Sequence, residues 1–179
     1  MKKTILGLAV SAMFMAGAVQ AETNANDVSA TLNITGTVSK ESSCTVNLSQ
    51  STVDLAGKLD TIVDQRKKNN PNMSTVSLNI TGDSECETFM EQGKIAYKFI
   101  GTADNADGVS LANAATGASA ATGVGINLYN SNGDIIDINS QLIATSGPTT
   151  LGLGLVSLVN QELTTGSVQG SLTIQLERL

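Results

Sequence analysis

Few side chains in this sequence could do covalent chemistry. Cys44 and Cys86 are the only cysteines in 179 residues, and there is no histidine. That removes the commonest general base and the commonest transition-metal ligand. Two distant cysteines make no zinc site without further ligands, and here those would all be carboxylates. Asp104 and Asp107 in "ADNADG" lack the spacing of a calcium loop and read as a turn. The glycine-rich "LGLGL" at 151–155 lies inside a strand pattern and leads into no helix, so it is not a phosphate loop. Asn33, Asn47, Asn72 and Asn79 each begin an N-x-Ser/Thr triplet, which matters only in a host that glycosylates. No catalytic, metal or cofactor constellation is present in the sequence pattern, and the chain does not read as an enzyme.

What remains is thiol chemistry, and the start of the chain says where it happens. Lys2 and Lys3 precede the apolar run "TILGLAVSAMFMAGAV", and Val19 and Ala21 occupy the small-residue positions before a cut. This is the pattern of a secretory signal peptide over residues 1–21, cleaved between Ala21 and Glu22. The alternative, a membrane anchor, is disfavoured because the run falls short of a ~20-residue span. Cleavage leaves 158 residues (179 − 21), enough for one domain with an extra arm. Without the two lysines, 8 basic residues face 16 acidic ones, a net charge of −8. Nucleic-acid binders show the opposite balance, so that partner class is set aside. In an exported chain, two thiols and no others point to one disulfide, the alternative being two buried free thiols. Closing the loop between them stabilises by ~4 kcal/mol on the chain-entropy model.

The elements that would position these cysteines are strands. Val76, Leu78 and Ile80 alternate with polar residues; Ile95, Tyr97 and Phe99 alternate with Ala96, Lys98 and Ile100, and Val124, Ile126 and Leu128 follow at the same spacing. Ile136 and Ile138 follow after "NSNGD", where Asn132-Gly133 predicts a hairpin. Leu151, Leu153 and Leu155 predict a further strand, and Val46–Leu48 and Val53–Leu55 give weaker signals. A helical turn is expected only in "LDTIVDQRKKNN", where Arg66, Lys67 and Lys68 form a solvated bump. Residues 101–123, rich in small residues, predict a long surface loop with at most one short strand. Seven or eight short strands separated by turns predict an all-β antiparallel sandwich.

Both ends of the mature chain alternate as well. In "GSVQGSLTIQLERL", which begins at Gly166, Val168, Gly170, Leu172, Ile174 and Leu176 share a face, with Leu179 closing the segment. In "VSATLNITGTVSK", Val28, Ala30, Leu32, Ile34, Gly36 and Val38 share another. A terminal strand with an open edge templates association, so something must cover it. The two end strands could pair within one chain, or each could pair with another copy. Only residues 39–43 separate the arm from Cys44, and five residues reach at most ~18 Å, which permits a hairpin but makes a long crossover difficult.

An alternating arm containing "TLNITGTV" precedes a first cysteine followed by "TV", and a second cysteine lies in "SECETF". "KFIGTAD" and "GVGINLYNSNGDII" follow, and Gly166 leads into the final strand. In this order the motifs resemble the type 1-like pilins of the chaperone–usher pathway over almost all of 22–179. The resemblance implies an incomplete immunoglobulin-like antiparallel β-sandwich, the pilin fold, lacking its last strand. Residues 22–40 would be the N-terminal donor-strand extension and 41–179 the pilin domain. It implies a groove filled first by a periplasmic chaperone and then by the arm of the next subunit. Ala30, Leu32, Ile34, Gly36 and Val38 would form the donor strand. Gly166, Val168, Gly170, Leu172, Ile174, Leu176 and Leu179 would form the groove edge and chaperone-binding strand. The implied partners are neighbouring subunits, the chaperone, an outer-membrane usher and, for an adhesive subunit, a host receptor. The implied route runs through the periplasm to a fimbria on the cell surface. The leading expectation is a structural fimbrial subunit supporting adhesion. The alternative is a minor adaptor or receptor-binding subunit, for which the loop 101–123 would be the place to look. A tip adhesin of this family carries an extra domain ahead of its pilin domain, for which the short lead before Val28 leaves no room. One departure stands out: Arg178 occupies the position where these pilins commonly carry an aromatic.

Overall fold

Alternating apolar residues pair into ten strands and one helix in the computed structural model, which describes residues 35–36 and 41–179. The chain divides into two units, Met1–Ser39 and Lys40–Leu179. The signal peptide, its cleavage point and most of the arm lie outside the described residues. In the first unit only Thr35 and Gly36 are described, and both are exposed.

The second unit holds β1 (Cys44–Leu48), β2 (Val63–Asp64), β3 (Ser74–Gly82), α1 (Ser84–Glu91), β4 (Ile95–Ile100) and β5 (Leu111–Ala112). It continues with β6 (Val124–Tyr129), β7 (Ile135–Ile136), β8 (Gln141–Ile143), β9 (Thr149–Ser157) and β10 (Thr173–Arg178). One sheet runs β1-β3-β9-β6-β5, with β2 attached to β9 and β7 to β6; the other runs β10-β4-β8. Every pairing is antiparallel except β2 with β9. Residues from both sheets share one apolar core, including Leu78, Leu128 and Leu151 from the first and Ile95, Tyr97 and Phe99 from the second. The expected sandwich is therefore present, and the hairpin at Asn132-Gly133 joins β6 to β7, with Gly133 N–H donating to Asn130 O at 3.0 Å.

Three local expectations change. The segment 59–70 does close a turn, where Ile62 N–H donates to Lys58 O at 2.9 Å before β2, but it is not the sole helical element. The α-helix forms at Ser84–Glu91, where Asp83 accepts from Cys86 N–H and Glu85 and Glu87 occupy the first turn. An N-cap aspartate and early acidic residues suit the helix dipole. Val53–Leu55 runs outside any strand ladder, whereas Val46–Leu48 belongs to β1. Finally, the closing strand is shorter than its alternation, since β10 begins only at Thr173.

Segment 63–73 explains why β6 is buried along its whole length. Asn127 Nδ2 donates to Gln65 O at 2.7 Å, and Asn70 Nδ2 donates to Leu155 O at 3.2 Å, so this segment lies across the outer face of β6 and β9. The glycines of "LGLGL" permit that crossing: a Cβ at Gly154 would come within 2.4 Å of Asn70 Nδ2, and one at Gly152 within 2.8 Å of Met73 Sδ. Arg66 and Lys68 remain exposed along this strap, paired with Asp107 and Asp134.

Candidate groove between two edge strands

Cys44 and Cys86 form the disulfide, with their Cα atoms 5.6 Å apart. The bridge ties the start of β1 to α1, and Asp83 reinforces the tie. Its carboxylate accepts from Ser42 Oγ and from Ser43 N–H, each at 3.3 Å, while also capping the helix. β1 is thereby fixed as the edge strand of its sheet.

β10 is the edge strand of the other sheet. It pairs with β4 from Thr173↔Ile100 to Arg178↔Ile95, and no strand among the described residues pairs with its other side. The residues leading into β10 are held by loop 101–123. Ala121 N–H donates to Ser167 O at 3.0 Å, Ala114 N–H to Gln169 O at 2.8 Å, and Gln169 N–H to Asn113 Oδ1 at 2.9 Å. The loop is thus more integrated than its small residues suggested, with Asp104, Ser110, Leu111 and Ala121 buried and one short strand, β5. Burial works against the Asp104 carboxylate, but backbone N–H donors from Ser110, Ala106, Gly108 and Asp107 outweigh it and hold its pKa below the ordinary value. Ala106 N–H and Asp107 N–H both donate to Asp104 Oδ1, at 2.7 and 3.0 Å, which makes "ADNADG" a turn.

Between the two edges lies an apolar groove in two sections. The first, with a volume of about 520 Å³, is walled by Leu48, Val53 and Leu55 on one side and by Val168, Gly170, Leu172 and Ile174 on the other. Its floor is Leu111, Ile126, Leu151, Leu153 and Leu155. The second, about 430 Å³, continues past Leu155 and Val168 to Leu59, Ile62, Leu163 and Gly166. Among the described residues, only Asp54 and Lys58 bring charge to the lining. Apolar side chains that touch the core here are covered on one side only: Val53, Leu55, Leu153, Leu155, Val168, Leu172 and Ile174 are all half-buried. Gly170 rests directly on the floor, where a Cβ would lie 2.7 Å from Leu111 Cδ2.

The structure therefore brings together Gly166, Val168, Gly170, Leu172 and Ile174. Leu176 lies beyond the lined section, half-buried against the core, and Leu179 is exposed, its N–H donating to Lys94 O at 2.9 Å. The facing wall, Leu48 to Ile62, was not assigned as a site from sequence. Its only signal was the pair Val53 and Leu55, apolar at strand spacing without a strand partner. Arg178 also finds a place: its guanidinium donates to Ser42 O and lies 5.3 Å from the centroid of the Phe89 ring. A groove of this shape offers main-chain donors and acceptors on one edge and apolar recesses beneath, which suits an added β-strand.

A family model described as "Fimbrial protein" matches residues 32–177. Among solved structures, the crystal structure of the P pilus rod subunit PapA superposes with a TM-score of 0.51 at 14% identity, covering 84% of this chain and 100% of that one. That likeness shows a pilin-like fold. No curated protein matches the chain in sequence.

Proposed function

The chain belongs to the fimbrial protein family, a structural and non-enzymatic family of the pilus and cell surface, and on that premise we propose that it is a structural subunit polymerised head to tail by donor-strand exchange. The observation that carries this reading is the apolar groove beside β10, whose half-buried lining lacks one strand's worth of cover. Its occupant in the fibre is the arm of a second copy, with Ala30, Leu32, Ile34, Gly36 and Val38 facing the floor. Two features favour this occupant over others. The arm alternates at the period the recesses require, and its apolar face contains no charge, as the floor contains none. Burying its aliphatic faces at ~1.5–3 kcal/mol each supplies roughly 10 kcal/mol before ordering costs.

The arm's polarity in the groove follows from its tether. Val38 is joined to the disulfide-locked body of its own subunit by residues 39–43 alone, and that body has to lie outside the groove, so Val38 is placed at the open end, away from the Ser42–Arg178 contact. The arm then runs antiparallel to β10. Because the contact is heterologous and does not close, it propagates as a fibre. A periplasmic chaperone filling the same groove before assembly, and an outer-membrane usher, are the delivery partners this reading requires; residues 1–21 would serve export. The polar groups of Asp104 and Asn113 in loop 101–123 bond to the chain itself, which favours a shaft role over a receptor site there.

Complementation tests the proposal. One variant lacks the arm; the other carries Leu172→Asp, which blocks the groove. Neither alone should assemble, and mixing them should give 1:1 dimers in size-exclusion chromatography with light scattering. Monomers only, from a mixture of two folded variants, would show that the arm does not act in trans.

A further inference from the structure

The groove is not open at both ends, and its closed end carries this chain's departure from the family pattern. Its lining stops at Leu48 on one wall and Ile174 on the other. Beyond that point Val46 and Leu176 pack on the core, and the Arg178 guanidinium donates to Ser42 O across from β10 to the root of β1. Phe89 of α1 lies against the same guanidinium, 5.3 Å from ring centroid to Cζ. The Ser42 anchor is held in place. Ser42 and Ser43 are held by the Asp83 carboxylate, and the next residue, Cys44, is disulfide-bonded. The Ser43 carbonyl leaves no room beside Gly82, where a Cβ would approach it to 2.3 Å.

We infer that the Arg178–Ser42 bridge is the end stop of the groove and sets the register of the strand it accepts. This rests on the donor-strand reading above. An incoming strand that pairs with the outer edge of β10 meets, past Ile174, the packed side chains of Val46 and Leu176, pinned together by the bridge at Arg178, and can go no further. The accessible wall from Gly166 to Ile174 spans as many residues as the arm from Ala30 to Val38. With the arm antiparallel to β10, Ala30 arrives at the stop, and Val28 stays outside. Register matters because a one-residue slip turns every apolar side chain of the arm away from the floor. Arg178 is here a positioning residue, acting through the backbone of Ser42.

Dye-labelled peptides covering residues 30–38 and 26–38, titrated with the full chain and read by fluorescence anisotropy, test the stop. The native chain should bind both within about twofold, because Val28 gains no cover. Arg178→Ala should bind the longer peptide about tenfold more tightly than the shorter, the effect of burying one further valine face. Arg178→Gln, which keeps the stem but shortens the reach, should show the same length dependence if the alanine variant folds poorly. Arg178→Lys, which can still donate to Ser42 O, should restore the native insensitivity. Length dependence already present in the native chain, or absent from the alanine and glutamine variants, would overturn the end stop while leaving the groove reading intact. Failure of the native chain to bind either peptide would overturn both.

Discussion

β6 and β10 look alike in sequence and differ in the structure. Each places three aliphatic residues at alternate positions: Val124, Ile126 and Leu128 in one, Leu172, Ile174 and Leu176 in and before the other. All six residues of β6 are buried, whereas the apolar residues of β10 are covered only in part. The difference lies in neighbours. β6 has β9 on one side and β5 and β7 on the other, and segment 63–73 lies over its outer face. β10 has β4 alone. Alternation thus reports that a strand has an inward face, not that the same chain supplies everything needed to cover it. On the donor-strand proposal, the shortfall is where assembly happens.

The comparison can be pressed by mutation. The largest effect is expected from the disulfide that fixes the groove's edge at β1. Replacing Cys44 and Cys86 by alanine should lower unfolding free energy by about 4 kcal/mol in urea titrations, the loop-closure contribution. Next comes Leu128→Ala on the closed strand, where a fully buried side chain is cut back; about 3 kcal/mol is expected. Ile174→Ala on the open strand should cost only about 1 kcal/mol in the empty chain, since half its cover is missing. Its cost should rise once a residue 28–38 peptide occupies the groove. Equal costs at Leu128 and Ile174 in the empty chain would mean that the two strands are equally covered in solution.

The smallest effect is electrostatic and lies away from the groove. The folded-state pKa of Asp104 is depressed by backbone donors that outweigh its burial. A proton therefore binds the unfolded chain more readily than the folded one. The stabilisation is complete above the unfolded aspartate range near ~3.9, and is lost as pH falls through the lower folded value. The urea midpoint should decline below pH ~4, and Asp104→Asn should flatten part of that decline.

Much of the fold was legible because strands announce themselves locally. Val76–Ile80, Ile95–Phe99 and Val124–Leu128 alternate without ambiguity, and Asn132-Gly133 marks the hairpin. The misreadings have physical causes. The helix at Ser84–Glu91 is only eight residues long, and its sole local signals are the Asp83 cap and the early acids. Residues 59–70 were expected to hold a helical turn and close one at Ile62, but no longer helix follows, because Gln65 and Asn70 are drawn onto the sheet by bonds to Val159 N–H and Leu155 O, far away in sequence. The β10 wall of the groove could be read from Val168 to Ile174. The facing wall could not, because 49–62 is irregular and is placed by what it lies against. Arg178 was readable only as a departure; its contact with Ser42 needed the fold.

The central claim is that the groove beside β10 is real and is filled from another chain. The most direct test is thermal unfolding of a truncated chain beginning at Val38, with and without a peptide of residues 28–38. The account expects a clear rise in midpoint with the peptide, growing with its concentration as linkage requires, and sharply weakened by Ile34→Asp in the peptide. A truncated chain that unfolds cooperatively at the same midpoint with and without peptide would contradict it, because the sandwich would then need no strand from outside.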